Sequence, residues 1–179
     1  MMKRFLVFLS ILTTVISGCA MYQSIVKSSF PYTSSLTVTA ATQPGTEASA
    51  VNMANSFDQN FAKKGNDADK ITLVRVITAR LRSTDPTDYN IGNLSSVIIY
   101  LSREDGSDEV LVAQREEISA NAGNEITLAT DNSKFLDQLV RERSIRVRMM
   151  YKVRQSMNRD VNVQVVLGLS AYPKPVDKS

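Results

Sequence analysis

Apolar and polar residues alternate most regularly near the C-terminus. Ile145, Val147, Met149, Tyr151 and Val153 alternate with Arg146, Arg148, Met150, Lys152 and Arg154. Val161, Val163, Val165, Leu167, Leu169 and Ala171 then alternate with Asn162, Gln164, Val166, Gly168 and Ser170. A period of two puts each set on its own face of a strand. Met157-Asn158-Arg159-Asp160 separates the two as a hairpin, and Pro173 and Pro175 end the sheet. The same pattern recurs upstream in Ser35–Ala40, in Val97, Ile99 and Leu101, in Val110–Ala113 and in Glu125–Ala129, with a weaker strand through Ala48–Met53. Gln43-Pro44-Gly45 and Asp105-Gly106 supply turns. Lys70–Arg82 is rich in β-branched residues but carries two phases, Leu73, Ile77, Ala79 and Leu81 against Val74, Val76 and Thr78. Such a strand is either buried on both faces or shifted by a bulge.

Two short helices are expected. Ser56-Phe57-Asp58-Gln59 has the form of a capping box, Phe57 and Phe61 lie one turn apart, and Lys63, Lys64 and Gly65 suit a C-terminus. Asp131-Asn132-Ser133 offers N-cap groups ahead of Phe135, Leu136, Leu139 and Val140. The fold expected is mainly β: an antiparallel β-sandwich of about 7–8 strands with two short helices. There is no βαβ rhythm and no glycine-rich phosphate loop.

The N-terminus reads differently. Lys3 and Arg4 precede an apolar run from Phe5 to Ile16. That run falls short of the about 20 residues a spanning helix needs and has the form of a secretory signal. It ends Ile16-Ser17-Gly18-Cys19, which resembles the lipobox of bacterial lipoproteins. The resemblance implies cleavage before Cys19, a thioether-linked diacylglycerol on its thiol and acylation of the new amine. Two or three acyl chains make a stable anchor without a spanning segment. By the same resemblance, Ala20 in place of Asp implies the outer membrane. The lack of acids from Ala20 to Ile25 favours its periplasmic face. The expected layout is a signal over 1–18, a lipidated tether over 19–30, the sandwich over 31–174 and a tail over 175–179. The mature part is also similar to small β-rich lipoproteins of Gram-negative bacteria, through Ser35-Leu36-Thr37-Val38, Val97–Ser102 with Asp105-Gly106, and Asn132–Asp137. That similarity implies no activity and no site.

Composition narrows the chemistry. The chain of 179 residues has no His, no Trp and one Cys. Triads that use His, zincin sites, disulfide frameworks and Cys-cluster metal sites therefore need residues it lacks. No cofactor is expected. The charge of +3 comes from 21 basic and 18 acidic residues, and loss of Lys3 and Arg4 with the signal leaves 19 against 18. A near-neutral mature chain gives no support to nucleic-acid binding. The remaining charge is uneven: Arg141–Arg159 holds seven basic residues and only Glu142 as an acid. Arg146, Arg148, Lys152 and Arg154 would form a ladder on one face of a strand, about 6.6 Å apart at successive same-face positions. Such a ladder is either a solvated face or a contact for an envelope protein, an anionic glycan or lipid headgroups.

The acidic hairpin Glu104, Asp105, Asp108 and Glu109 lacks EF-hand spacing. Carboxylate pairs, Glu116 with Glu117 or Asp105 with Asp108, leave a carboxylate-dependent hydrolase acting on envelope glycan as the alternative function. Adjacent Glu116 and Glu117 would point to opposite faces of a strand. The reading that the residues favour is a lipid-anchored, non-catalytic binding or structural module.

Overall fold

The computed structural model describes residues 28–55, 71–142 and 144–174. Eight strands form the domain: β1 Ser28–Val38, β2 Glu47–Asn55, β3 Ile71–Asp85, β4 Leu94–Ser102, β5 Val110–Arg115, β6 Glu125–Thr130, β7 Ser144–Val153 and β8 Val161–Pro173. Every pairing is antiparallel, in the order β1-β8-β3-β6-β5-β4-β7-β2. β1, β8, β3 and β6 make one sheet; β5, β4, β7 and β2 make the other. That order is the jelly-roll arrangement of a β-sandwich. β6 passes between the sheets: Glu125–Leu128 pair with β3, and Ala129 and Thr130 pair with β5. At the opposite seam β1 and β2 lie side by side, and Asn52 Nδ2 donates to the Ser35 carbonyl at 2.6 Å. The sheet is thus nearly closed, which leaves little free edge.

The predicted alternation decides what is inside. Ile145, Val147, Met149, Tyr151 and Val153 on β7 are buried, as are Val161, Val163, Val165, Leu167 and Leu169 on β8. β3 resolves its two phases by bulging. Its register shifts between Thr72 and Arg75 and again between Val76 and Thr78. Each shift moves the buried phase by one residue, so Ile71, then Val74 and Val76, then Ala79 and Leu81 all face the core. Leu73 takes φ of 54° at the first bulge and stands exposed.

The helix expected over Ser56–Gly65 lies outside the described residues. The second expected helix is a correction: the described residues contain no α-helix, and the segment forms only a 3-10 turn at Leu139–Arg141. Asp131 closes an Asx turn by accepting from the Ser133 amide at 2.9 Å, and the Leu136 amide donates to the Val74 carbonyl of β3 at 2.9 Å. Side-chain and sheet hydrogen bonds therefore take the groups a helix would use. Leu136, Leu139 and Val140 are still buried, closing one end of the core.

The sandwich has two distinct ends. The chain enters β1 at Ser28 at the near end, which also holds the β4–β5 hairpin and the 131–142 loop. The far end carries the loops 39–46, 86–93, 116–124 and 154–160. Asn90 ties the 86–93 loop to the 116–124 loop: its Oδ1 accepts from the Gly92 and Gly123 amides at 3.0 Å each, and its Nδ2 donates to the Ala120 carbonyl.

Candidate functional site

Arg146, Arg148 and Lys152 sit on the outward positions of β7, between β2 and β4. Cross-strand rows run Met53–Arg146–Ser102, Val51–Arg148–Tyr100 and Glu47–Lys152–Ser96. Arg148 stacks over the Tyr100 ring at 4.4 Å and grips Glu109 with two donors, Nε to Oε1 at 2.8 Å and Nη2 to Oε2. Glu109 Oε1 also lies 3.7 Å from Arg146 Nη1. The Arg148 hydrogen bond, with the charges of both arginines, holds the Glu109 carboxyl below its usual range. The acidic hairpin and the basic strand thus neutralise each other locally.

Arg154 lies one residue beyond β7. Its Nε donates to the Gly92 carbonyl at 3.0 Å and its Nη2 to the Ile118 carbonyl, pinning two far-end loops. Of the four residues of the sequence ladder, three share the face and the fourth braces loops. Cys19, Ile16, Ser17 and Gly18 lie outside the described residues.

A cleft of about 420 Å³ opens at the far end, between the 86–93 and 154–160 loops. Tyr89, Asn93, Gln155, Met157, Asn158 and Arg159 line it. Gln155 Nε2 donates to Asn93 Oδ1 at 3.1 Å, and the Tyr89 hydroxyl donates to Met157 Sδ at 3.2 Å. Burial raises the Tyr89 pKa, so its hydroxyl stays neutral. The one cation, Arg159, is matched by Asp85 Oδ1 at 2.7 Å. The cleft therefore presents amides and an aromatic ring with no uncompensated charge. The sequence reading did not single it out, because its halves are more than sixty residues apart. A tyrosine and several amides clustered in predicted turns were the available signal.

The carboxylates do not converge as a catalytic pair in the predicted combinations. Asp105 Oδ1 accepts from the Ser107 amide at 2.9 Å and from its hydroxyl at 2.6 Å, which lowers the Asp105 pKa. Asp108 pairs with Arg103 at 3.0 Å. Glu116 borders an open groove between β5 and β6, while Glu117 occupies a left-handed backbone position at φ 54°. A general acid working near neutral pH needs a raised carboxyl, the opposite of the shift at Asp105. Among the described residues no group of three or more His, Cys, Asp or Glu is placed to hold a metal ion, and no helix is long and apolar enough to cross a membrane.

No protein-family description and no curated protein matches the chain. Among solved structures, one from work on the promiscuous specificity of carbohydrate-binding modules of the β-sandwich superfamily aligns with a TM-score of 0.31 and 9% identity. The alignment covers 77% of this chain and 54% of that one, so the chain spans about half its length. The assignment of the fold here rests on the strand order itself.

Proposed function

We propose that this chain is a lipid-anchored lipoprotein of the bacterial envelope. Its anchor is Cys19, in the outer membrane facing the periplasm, and its sandwich is a non-catalytic binding module. The observation that carries the binding reading is the far-end cleft, which lies opposite the end where the chain arrives from Cys19. A volume of this size suits a small ligand or one segment of a polymer. Amides offer a donor and an acceptor together, and Tyr89 offers a flat face beside them. That lining fits an uncharged, hydroxyl- or amide-bearing ligand, and envelope glycan is the partner of that chemistry nearest to an anchored protein. An anionic partner on the Arg146, Arg148 and Lys152 face is the second reading, favoured by their shared outward direction on β7 but weakened by Glu109.

The test uses full-length protein purified from membranes and uncharged oligosaccharides of N-acetylglucosamine as the probe. The double variant Gln155→Ala, Asn158→Ala alters exposed side chains and should lower oligosaccharide binding about tenfold, the effect of roughly 1.4 kcal/mol. Unchanged binding by this variant removes the cleft as the site. Loss of partner recovery on changing Arg146 and Arg148 to Ala, with the cleft intact, would move the site to the sheet face.

A further inference from the structure

We infer that the near end of the β1–β8–β3 sheet is a membrane-contacting surface, with Leu73, Ile77 and Phe135 entering the lipid interface and Arg75 meeting headgroup phosphate. Large exposed apolar side chains are unevenly distributed. Among the described residues they are Val51, Met53, Leu73, Ile77 and Phe135, and none belongs to a far-end loop. Leu73 and Ile77 project from the bulged start of β3. Phe135 is 49% exposed and is brought beside them by the hydrogen bond from Leu136 to Val74.

Arg75 stands within this apolar group. Its guanidinium lies over the Phe135 ring at 4.5 Å, yet its buried Nε has no hydrogen-bond partner among the described residues. The ring holds the guanidinium in place, and its terminal Nη donors, not the enclosed Nε, are the groups that would meet a phosphate oxygen. Apolar side chains around a phosphate-seeking cation are the two halves of an interfacial lipid contact.

The chain's own path selects lipid as the occupant. Ser29, Ser170 and Arg75 form one cross-strand row, so Arg75 lies two strands, or about 10 Å, from the first residues of β1. Only eight residues lie between Cys19 and Ser28, nine Cα–Cα steps with a reach of at most about 32 Å. An acylated Cys19 would therefore hold this corner beside the bilayer. The inference rests on the anchor reading to that extent. The acidic hairpin lies at the same end on the other sheet; its Asp108 and Asp137 share a pocket with Phe135, and Asp108 is paired with Arg103 at 3.0 Å, so acids border the patch on that side only. A domain seated this way stands on the membrane with its cleft directed outward.

The absence of Trp makes the contact directly measurable. Phe135→Trp places one reporter in the patch, Ile77→Trp provides a second, and Asn121→Trp on a far loop serves as the control. Full-length protein purified from membranes is placed in vesicles of phosphatidylethanolamine and phosphatidylglycerol, with or without brominated acyl chains. The two patch reporters should shift to the blue and lose roughly half their emission to bromine, as expected for side chains 5–10 Å into the interface. The control should do neither. Adding Arg75→Glu to Phe135→Trp should abolish the quenching, and Arg75→Lys should keep part of it. Patch reporters that emit as in water, or that shift equally without lipid as a second protein copy would cause, overturn the inference. Mass measurement of the N-terminal peptide separates the two claims. A lipid-bearing Cys19 with unquenched reporters leaves the anchor and removes the contact. Quenched reporters with a bare Cys19 do the reverse.

Discussion

Glu109 is the residue on which the charge of the β7 face depends. Its folded carboxyl titrates below the usual glutamate value of 4.5, first because Arg148 donates to it. A depressed folded pKa contributes stability that is complete above the unfolded pKa and is lost as pH falls through the folded one. Glu109→Gln should therefore cost about 1 kcal/mol at neutral pH, the scale of a two-pronged Arg–carboxylate pair near the surface. Urea midpoints of the two proteins should converge as the pH drops below the glutamate range; a gap unchanged by acid would contradict the pairing. Arg154 and Lys152, two residues apart, should behave in opposite ways. Arg154→Lys loses the fork that satisfies the Gly92 and Ile118 carbonyls and should cost about 1–3 kcal/mol. Lys152 has no ion pair among the described residues, and Lys152→Ala should stay within about 0.5 kcal/mol. Equal losses from both would show that Arg154 is not a brace. Alternation made all three β7 cations legible in the sequence, but nothing local distinguished the two that share Glu109 from Lys152.

At the scale of elements, two glycines mark where backbone or side chains approach too closely for a methyl group. A Cβ on Gly92 would fall inside contact distance of the Ala120 and Ser119 carbonyls, while one on Gly168 would meet Thr78 Oγ1. Backbone cannot rotate away, whereas the end of a side chain can. Gly92→Ala should cost at least about 2 kcal/mol and disturb the far-end loops. Gly168→Ala should cost less, and adding Thr78→Ala should recover most of the loss. Denaturation midpoints of the three variants check this, and failure of the second change to help would place the strain elsewhere. β3 shows how much of an element a sequence carries. Its mixed phases called for a bulge or for burial on both faces, and the structure has two register shifts within that stretch and a third between Ser83 and Asp85. The segment after Asp131 shows the converse: helical spacing of Leu136, Leu139 and Val140 was overridden by an Asx turn and a bond to β3.

For the whole molecule, polarity between two ends is the organising feature. The chain arrives at one end and the amide-lined cleft opens at the other. In intact cells, Cys19→Ala should abolish labelling by a radioactive lipid precursor, and persistent labelling would contradict the lipobox reading. The same cells should still contain folded sandwich, seen as an unchanged protease-resistant fragment, because the core of the described residues is built between Tyr32 and Ala171.

The sequence by itself determined most of the strands, their buried faces and the sandwich class, because a period of two sorts side chains between core and water without reference to any distant residue; Ser28–Phe30, read as tether, instead pair with β8, and β3 runs on to Asp85. The proposed lipobox is likewise read from four adjacent residues, Ile16-Ser17-Gly18-Cys19, and its test is the labelling of Cys19. Tertiary structure alone decided the jelly-roll order, the pairing of Glu109 with arginines thirty-seven and thirty-nine positions away, the bracing role of Arg154 and the cleft. Each of these depends on which strands become neighbours, and local patterning leaves that choice open until the two sheets close over one core.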